Sequence, residues 1–163
     1  MRLSLPLVAA WAIPGIMANF DLYRVDFTYI DQPSKVYWQA FEAEGNCDTS
    51  KETASFEERK DTSGDKIGVR CDGHGCKQFA PIHEITQLEM HFSNDPLYHY
   101  TIYQDRGYEM YGLDGKIYGH CIPFPNGDFD CDVVGGPYAQ ASRKFRCLTS
   151  LTAAQIDDAF WDR

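Results

Sequence analysis

Tyr108-Glu109-Met110-Tyr111-Gly112-Leu113 and Lys116-Ile117-Tyr118-Gly119-His120-Cys121, joined by Asp114-Gly115, decide the fold class of this chain. Asp-Gly between two such runs is a strong short-range hairpin signal, because both turn residues tolerate positive φ. A two-residue type I′ turn here pairs Glu109 with His120, Tyr111 with Tyr118 and Tyr108 with Cys121. Met110, Ile117 and Cys121 then share the more apolar face, which is expected to meet the core. Glu109 and His120 are expected towards solvent.

Outward from the hairpin the pattern stays β. Leu88, Met90 and Phe92 alternate with Gln87, Glu89 and His91, as in a half-buried strand. Ser93-Asn94-Asp95-Pro96 is a turn cluster; residues 98–104 form the next strand, and Asp105-Arg106-Gly107 turns it. Residues 21–30, 35–42, 66–71 and 144–148 also read as strands. Residues 43–65 are polar and read as a mobile excursion with room for a helical turn in 52–60. Residues 123–137 carry three of the eight prolines and form a loop-rich lobe around Cys131. Thr152 and Gln155 make a capping box, and Ile156, Ala159 and Phe160 share a helical face, so 152–161 is one short helix. The expected fold is mainly β: an antiparallel meander or sandwich-like single domain with a short C-terminal helix.

Residues 1–18 read as a secretory signal peptide, with Arg2 first, an apolar stretch over 3–13, and Ile16-Met17-Ala18 ending in a small residue fit for cleavage. The stretch is too short to span a membrane, which takes about 20 apolar residues. This leaves 19–163 as one disulfide-stabilised β-rich domain, placed outside the cell. All six cysteines, Cys47, Cys71, Cys76, Cys121, Cys131 and Cys147, fall in that part. An even number in a secreted chain reads as a disulfide framework. Loop length and glycine content favour Cys71–Cys76, Cys121–Cys131 and Cys47–Cys147.

The formal net charge is −9. Such a surface repels phosphate backbones and anionic membranes, so neither general nucleic-acid binding nor membrane association is expected. The best basic cluster, Arg143-Lys144-Arg146, is short and alternates around Phe145. A neutral or cationic extracellular partner, protein or polysaccharide, fits better, met by a monomer.

Chemistry-bearing residues are few. Glu109 beside His120 is the minimum equipment for general acid–base work, with His99 on a nearby strand. Fungal guanyl-specific ribonucleases use similar parts on a curved sheet, although no run here matches their motif. The plainer reading is an exposed cross-strand pair. Cys71-Asp72-Gly73-His74-Gly75-Cys76 has too few ligands for a zinc site and reads as a small disulfide loop. Asn126, Asp128, Asp130 and Asp132 alternate like a calcium loop, but Cys131 and Pro137 stand where that loop needs Gly and Glu. The acids then belong to a strand edge with Phe129, Cys131 and Val133 inward. No metal and no cofactor is expected. Hydrolase nucleophile motifs, phosphate loops and Asn-x-Ser/Thr acceptors do not occur.

Together the leader, Asp21-Leu22-Tyr23-Arg24-Val25, Gly68-Val69-Arg70-Cys71, Leu88-Glu89-Met90 and Tyr111-Gly112-Leu113-Asp114-Gly115 resemble small secreted cysteine-containing, effector-like proteins of filamentous fungi. The resemblance implies an extracellular binding protein acting on a host protein or a wall component, and carries over no functional residue. The alternative is a small secreted hydrolase using Glu109, His120 and His99.

Overall fold

The computed structural model describes residues 19–132 and 136–162. The signal-peptide reading at 1–18 and the inward placing of Val133 lie outside the described residues. The chain runs β1 (Asn19–Thr28), β2 (Lys35–Phe41), α1 (Cys47–Glu52), β3 (Phe56–Glu57), β4 (Gly68–Gly73), β5 (Ile85–Asn94), β6 (Leu97–Tyr103), β7 (Glu109–Gly112), β8 (Ile117–Pro123), β9 (Phe129–Asp132), β10 (Tyr138–Thr149) and α2 (Ala153–Trp161). The fold is mainly β, as expected, with one antiparallel sheet in the order β3-β2-β1-β10-β8-β7-β6-β5-β4 and β9 also paired to β10. Strands β4 to β8 form the anticipated meander. The sheet bends until its two ends nearly meet: Glu58 bridges Val69, and the Arg59 N–H donates to the Val69 carbonyl at 2.8 Å. The result is a nearly closed, barrel-like sheet.

Alternation sorts the side chains. Phe20, Leu22, Trp38, Phe56, Leu88, Met90, Phe92, Ile102, Met110 and Phe145 fill the interior, all at 0–1% exposure. Thr152 caps α2 by the predicted box: its hydroxyl accepts from the Gln155 N–H, and Gln155 accepts from the Thr152 N–H. The helix buries Ala153, Ile156 and Ala159. A second cluster of Tyr23, Val25, Phe41, Cys131, Ala139 and Ala141 lies on the other face of β1 and β10. Phe129 and Cys131 turn towards it from β9, leaving Asp128, Asp130 and Asp132 exposed, as the strand-edge reading requires.

Residues 43–65 hold more structure than their polarity announces. Asn46 caps α1 by accepting from the Asp48 and Thr49 N–H groups, and Thr49 returns the bond. Gln39, fully buried, donates to the carbonyls of Ser50 and Thr53 and to the Ser55 hydroxyl. Helical turns therefore start at Cys47, and the expected 52–60 position holds Phe56–Glu57 as a strand. Sequence patterning missed both because the partners of these polar residues lie on β2 and within the turn itself.

Two of the three expected disulfides are exchanged. The bonds are Cys47–Cys131, Cys71–Cys76 and Cys121–Cys147. Cys121 faces Cys147 directly in the β8–β10 register, both at 0% exposure in the main core. Cys131 belongs to the outer cluster, beside Cys47 at the start of α1. A Cys121–Cys131 bond would have to cross the sheet. Loop length misled because the sheet, not the chain, sets which sulfurs meet.

The basic run of β10 does not alternate. A bulge between Leu22 and Tyr23 leaves Lys144 without a Cα partner on β1. Arg143 and Arg146 therefore both reach Asp21, which is 1% exposed, at 3.0 Å and 2.6 Å. Both guanidiniums also lie over the Phe124 ring. Lys144, 1% exposed, donates to the carbonyls of Gly75 (3.1 Å) and Lys77 (2.8 Å), while Arg24 donates to the Cys76 carbonyl between them. Three consecutive carbonyls, two at the end of the Cys71–Cys76 loop and the one after it, are thus held by cations from β1 and β10. Burial pulls the Lys144 ammonium down to about 8, with the Arg24 charge adding to it.

Peptide mapping of the unreduced protein will recover Cys47–Cys131, Cys71–Cys76 and Cys121–Cys147; a Cys121–Cys131 peptide would contradict the topology. Replacing Cys47 and Cys131 by serine should cost roughly 2–4 kcal/mol in denaturant unfolding. Lys144 gives a pH signature. Unfolded, it keeps its proton to its ordinary 10.5; folded, it loses it near 8. Between those values the unfolded chain binds more protons, so stability rises with pH there and is flat below. Lys144→Met should remove that rise in pH-dependent unfolding.

Candidate functional site

The hairpin is where the sequence placed its chemistry. Glu109 does oppose His120, and Met110 opposes Gly119. The next pair is Tyr111 with Ile117, one residue out of the predicted register. The turn has three residues, not two. Gly115 N–H donates to the Gly112 carbonyl and Gly112 N–H to the Lys116 carbonyl, while Gly115 takes φ 76°. That is a type I turn followed by a left-handed residue. Tyr118 is the extra residue that restores the register. Tyr111 and Tyr118 therefore do not pair, and Ile117 is 56% exposed instead of facing the core. Met110 and Cys121 are buried as predicted. The Cys121 N–H donates to the Tyr108 carbonyl at 2.9 Å.

Glu109 is half-buried and His120 exposed. Glu109 is already engaged: it accepts the Tyr111 hydroxyl at 2.7 Å. That bond is the chief reason the Tyr111 phenol is pushed above its ordinary value. Arg106, in the turn after β6, lies 4.5 Å from the Tyr103 ring centre and 5.3 Å from that of Tyr111. Register places these groups together. Thr101 opposes Tyr111, so Thr101 and Tyr103 on β6, Tyr111 and Glu109 on β7, and His120 on β8 share the outer face, while Ile102 and Met110 point inward. The face carries two phenol rings, a guanidinium, a carboxylate and an imidazole.

His99 lies apart from this group. It is 4% exposed, and its ring stacks on that of His91 at 4.2 Å and 11°. Its Nε2 lies 2.9 Å from Glu89, whose other oxygen is 3.1 Å from Arg70 Nε. Burial is the main cause that lowers the His99 pKa, against the Glu89 hydrogen bond. An imidazole kept neutral beside a carboxylate has the parts of a general base, but its Nδ1 is buried and unpartnered. Sequence reading singled out His99 without Glu89, His91 or Arg70. The signal was present, since Glu89, His91, His99 and Arg70 occupy matching positions on adjacent strands.

The three acid–base candidates do not converge. A cavity of about 280 Å³ at the hairpin tip is lined by Leu97, His99, Tyr100, Leu113, Asp114 and Tyr118. A second, about 560 Å³, has Glu42, Glu44, Glu52 and Asp157 on its walls. A third, about 300 Å³, lies among Phe27, Cys47, Cys131, Phe160 and Trp161. Neither Glu109 nor His120 lines any of these three. The metal alternative at Cys71, His74 and Cys76 is closed by the Cys71–Cys76 bond. Among the described residues, no group of three or more His, Cys, Asp or Glu side chains is placed to hold a metal ion, and no helix is long and apolar enough to cross a membrane. Comparison with protein-family models, with curated proteins and with solved structures finds no match for this chain.

His120→Ala should change stability by no more than about 1 kcal/mol, as for other exposed cross-strand groups. Glu89→Ala should cost more, about 1–3 kcal/mol, because it leaves the buried His99 Nε2 without its partner and Arg70 without its paired carboxylate. Chemical denaturation of the two variants compares them directly; equal losses would put the buried polar centre in the wrong place.

Proposed function

We propose that this is a secreted, disulfide-bonded binding protein that engages a neutral wall polysaccharide through its outer aromatic face. The carrying observation is the arrangement of Tyr103 and Tyr111, ring centres 6.3 Å apart, around Arg106 and beside Glu109 and His120. Phenol rings offer apolar faces against which the C–H faces of a sugar ring pack. The guanidinium, carboxylate and imidazole supply donors and acceptors for hydroxyls. The face carries the Arg106 cation against the carboxylates of Glu109 and the neighbouring Asp105, which suits a neutral polymer better than a polyanion. Three disulfides suit an oxidising compartment. The sequence resemblance to small secreted, effector-like proteins of filamentous fungi points to the same setting.

Pull-down of the purified protein with insoluble wall polysaccharides is the direct measurement. Wild-type protein should be retained on at least one neutral glycan. Tyr103→Ala combined with Tyr111→Ala should weaken retention about tenfold or more with the circular dichroism unchanged. Failure of the wild type to bind any wall glycan, or undiminished binding by the double variant, would overturn the reading. The second reading, a small secreted hydrolase, draws on Glu109 and His120 being direct cross-strand neighbours. It expects the protein to degrade RNA or another extracellular polymer, and His120→Ala to slow that rate roughly 100-fold or more.

A further inference from the structure

The connection from β3 to β4, residues 58–67, joins the two end strands of the sheet and so crosses the seam of the barrel. Its middle residue Thr62 is fully buried. What holds it down is the imidazole of His91, itself 0% exposed. His91 Nδ1 lies 3.0 Å from the Thr62 carbonyl, and Nε2 lies 3.0 Å from Asn94 Oδ1. The Asn94 amide is oriented by a third contact: its Nδ2 donates to the Asp65 carbonyl at 3.1 Å. Exchanging its oxygen and nitrogen would set two acceptors against each other at Asp65. Asn94 therefore presents oxygen to His91, and both ring nitrogens of His91 face acceptors. A neutral imidazole has one N–H; only the doubly protonated ring satisfies both.

We propose that the buried His91–His99 stack is an acid-dependent latch that closes the 58–67 strap over the barrel seam. His91 supplies the proton that completes the latch. Loss of that proton turns one N–H···O contact into two acceptors 3.0 Å apart, on a segment the ring otherwise pins. His99 keeps the stack to a single positive charge. Its Nε2 faces Glu89, and its buried Nδ1 has no partner for a second proton. The charged and titratable surroundings are Glu89 on β5, His99 on β6, Arg70 on β4 with Asp72 3.6 Å away, and Asp61, Asp65 and Lys66 on the strap. Asp61 and Lys66 pair with each other, and Asp65 contributes its backbone carbonyl. The strap touches the ring through a main-chain oxygen.

The two histidines act with opposite signs. Only the charged His91 ring bonds Thr62 and Asn94 at once, and the neutral ring bonds one of them, so the latch loosens towards alkaline pH. His99, its pKa lowered mainly by burial, opposes folding once acid charges it against the His91 cation. The strap is therefore held best in mild acid, bounded on both sides.

Two measurements on the intact protein test this. Ring ¹⁵N spectra near the acid side of histidine titration, about pH 5.5, should show both His91 nitrogens protonated and His99 singly protonated. Amide hydrogen exchange, normalised for intrinsic rates, should show Arg59, Ser63, Lys66 and Ile67 losing about tenfold protection between pH 5.5 and roughly pH 8.5. His91→Phe keeps a stacked ring and should abolish the pH dependence; Asn94→Ala, at an exposed position, should reduce it if the first variant fails to fold. A singly protonated His91 at the acid pH, or strap protection unchanged with pH in the wild type, would overturn the proposal.

Discussion

The bulge that sets Lys144 out of register with β1 is the constraint on which most of the structure depends. A regular strand would send Arg143 and Arg146 to opposite faces. One extra residue puts both on Asp21, from two sides, in a nearly dry setting. An ion pair in such a place is costly unless its geometry is good and its remaining polar atoms are bonded. Here a carboxylate receives two guanidiniums, and both guanidiniums stack on Phe124. The same bulge frees Lys144 to reach the Gly75 and Lys77 carbonyls, and beyond it Cys147 falls opposite Cys121. Charge pairing and anchoring of the small disulfide loop therefore follow from a single departure from alternation. It also buries Arg143 and Lys144 and ties the half-buried Arg146 to Asp21, so the net negative charge is little offset there.

The hairpin demonstrates how a correct pairing can follow from an incorrect turn. Asp114-Gly115 marked the reversal, and Glu109 does face His120. The turn nevertheless uses three residues, and Tyr118 is inserted to compensate. Near the turn the predicted faces are reversed, so Ile117 is exposed; beyond the bulge they agree. Local sequence reports that a turn is favourable and which residues accept positive φ. It does not report whether a bulge will follow, because that depends on the twist that β6 and β10 impose on both strands. The same distinction separates the cysteines. Cys71–Cys76 is a local event and was legible. Cys47–Cys131 and Cys121–Cys147 depend on which face of a closed sheet each sulfur occupies, and no spacing encodes that.

Burial of polar residues was the other illegible element. Gln39, Thr62, His91, Ser93, His99 and Lys144 all sit below 5% exposure, although composition alone places such residues outside. Most of them have a hydrogen-bond partner on a segment apart in sequence. The strand pattern 87–92 correctly assigned His91 and Glu89 to the face away from the core. It gave no sign that residues 58–67 return to cover that face. A polar face read as solvated was in fact half a polar core, and the His99 candidate belonged to it.

This division bears on where function resides. The barrel interior is filled by large side chains, among them Trp38, Phe20, Phe56, Phe92 and Phe145, each at 0–1% exposure. Close packing of that kind leaves a ligand no internal volume without displacing core residues. The recognition proposed above then uses the outer surface, and on β5 to β8 that surface has two unlike halves. Towards one end, the strap covers His91, on which His99 stacks. Towards the other, Tyr103, Tyr111, Glu109 and His120 remain accessible. Both halves stand on the same strands, so the rigidity given by a buried polar network at one end is delivered to the aromatic face at the other. A face held in one conformation before its ligand arrives loses less entropy on binding, which is the advantage a hardened, disulfide-bonded sheet offers over a flexible loop.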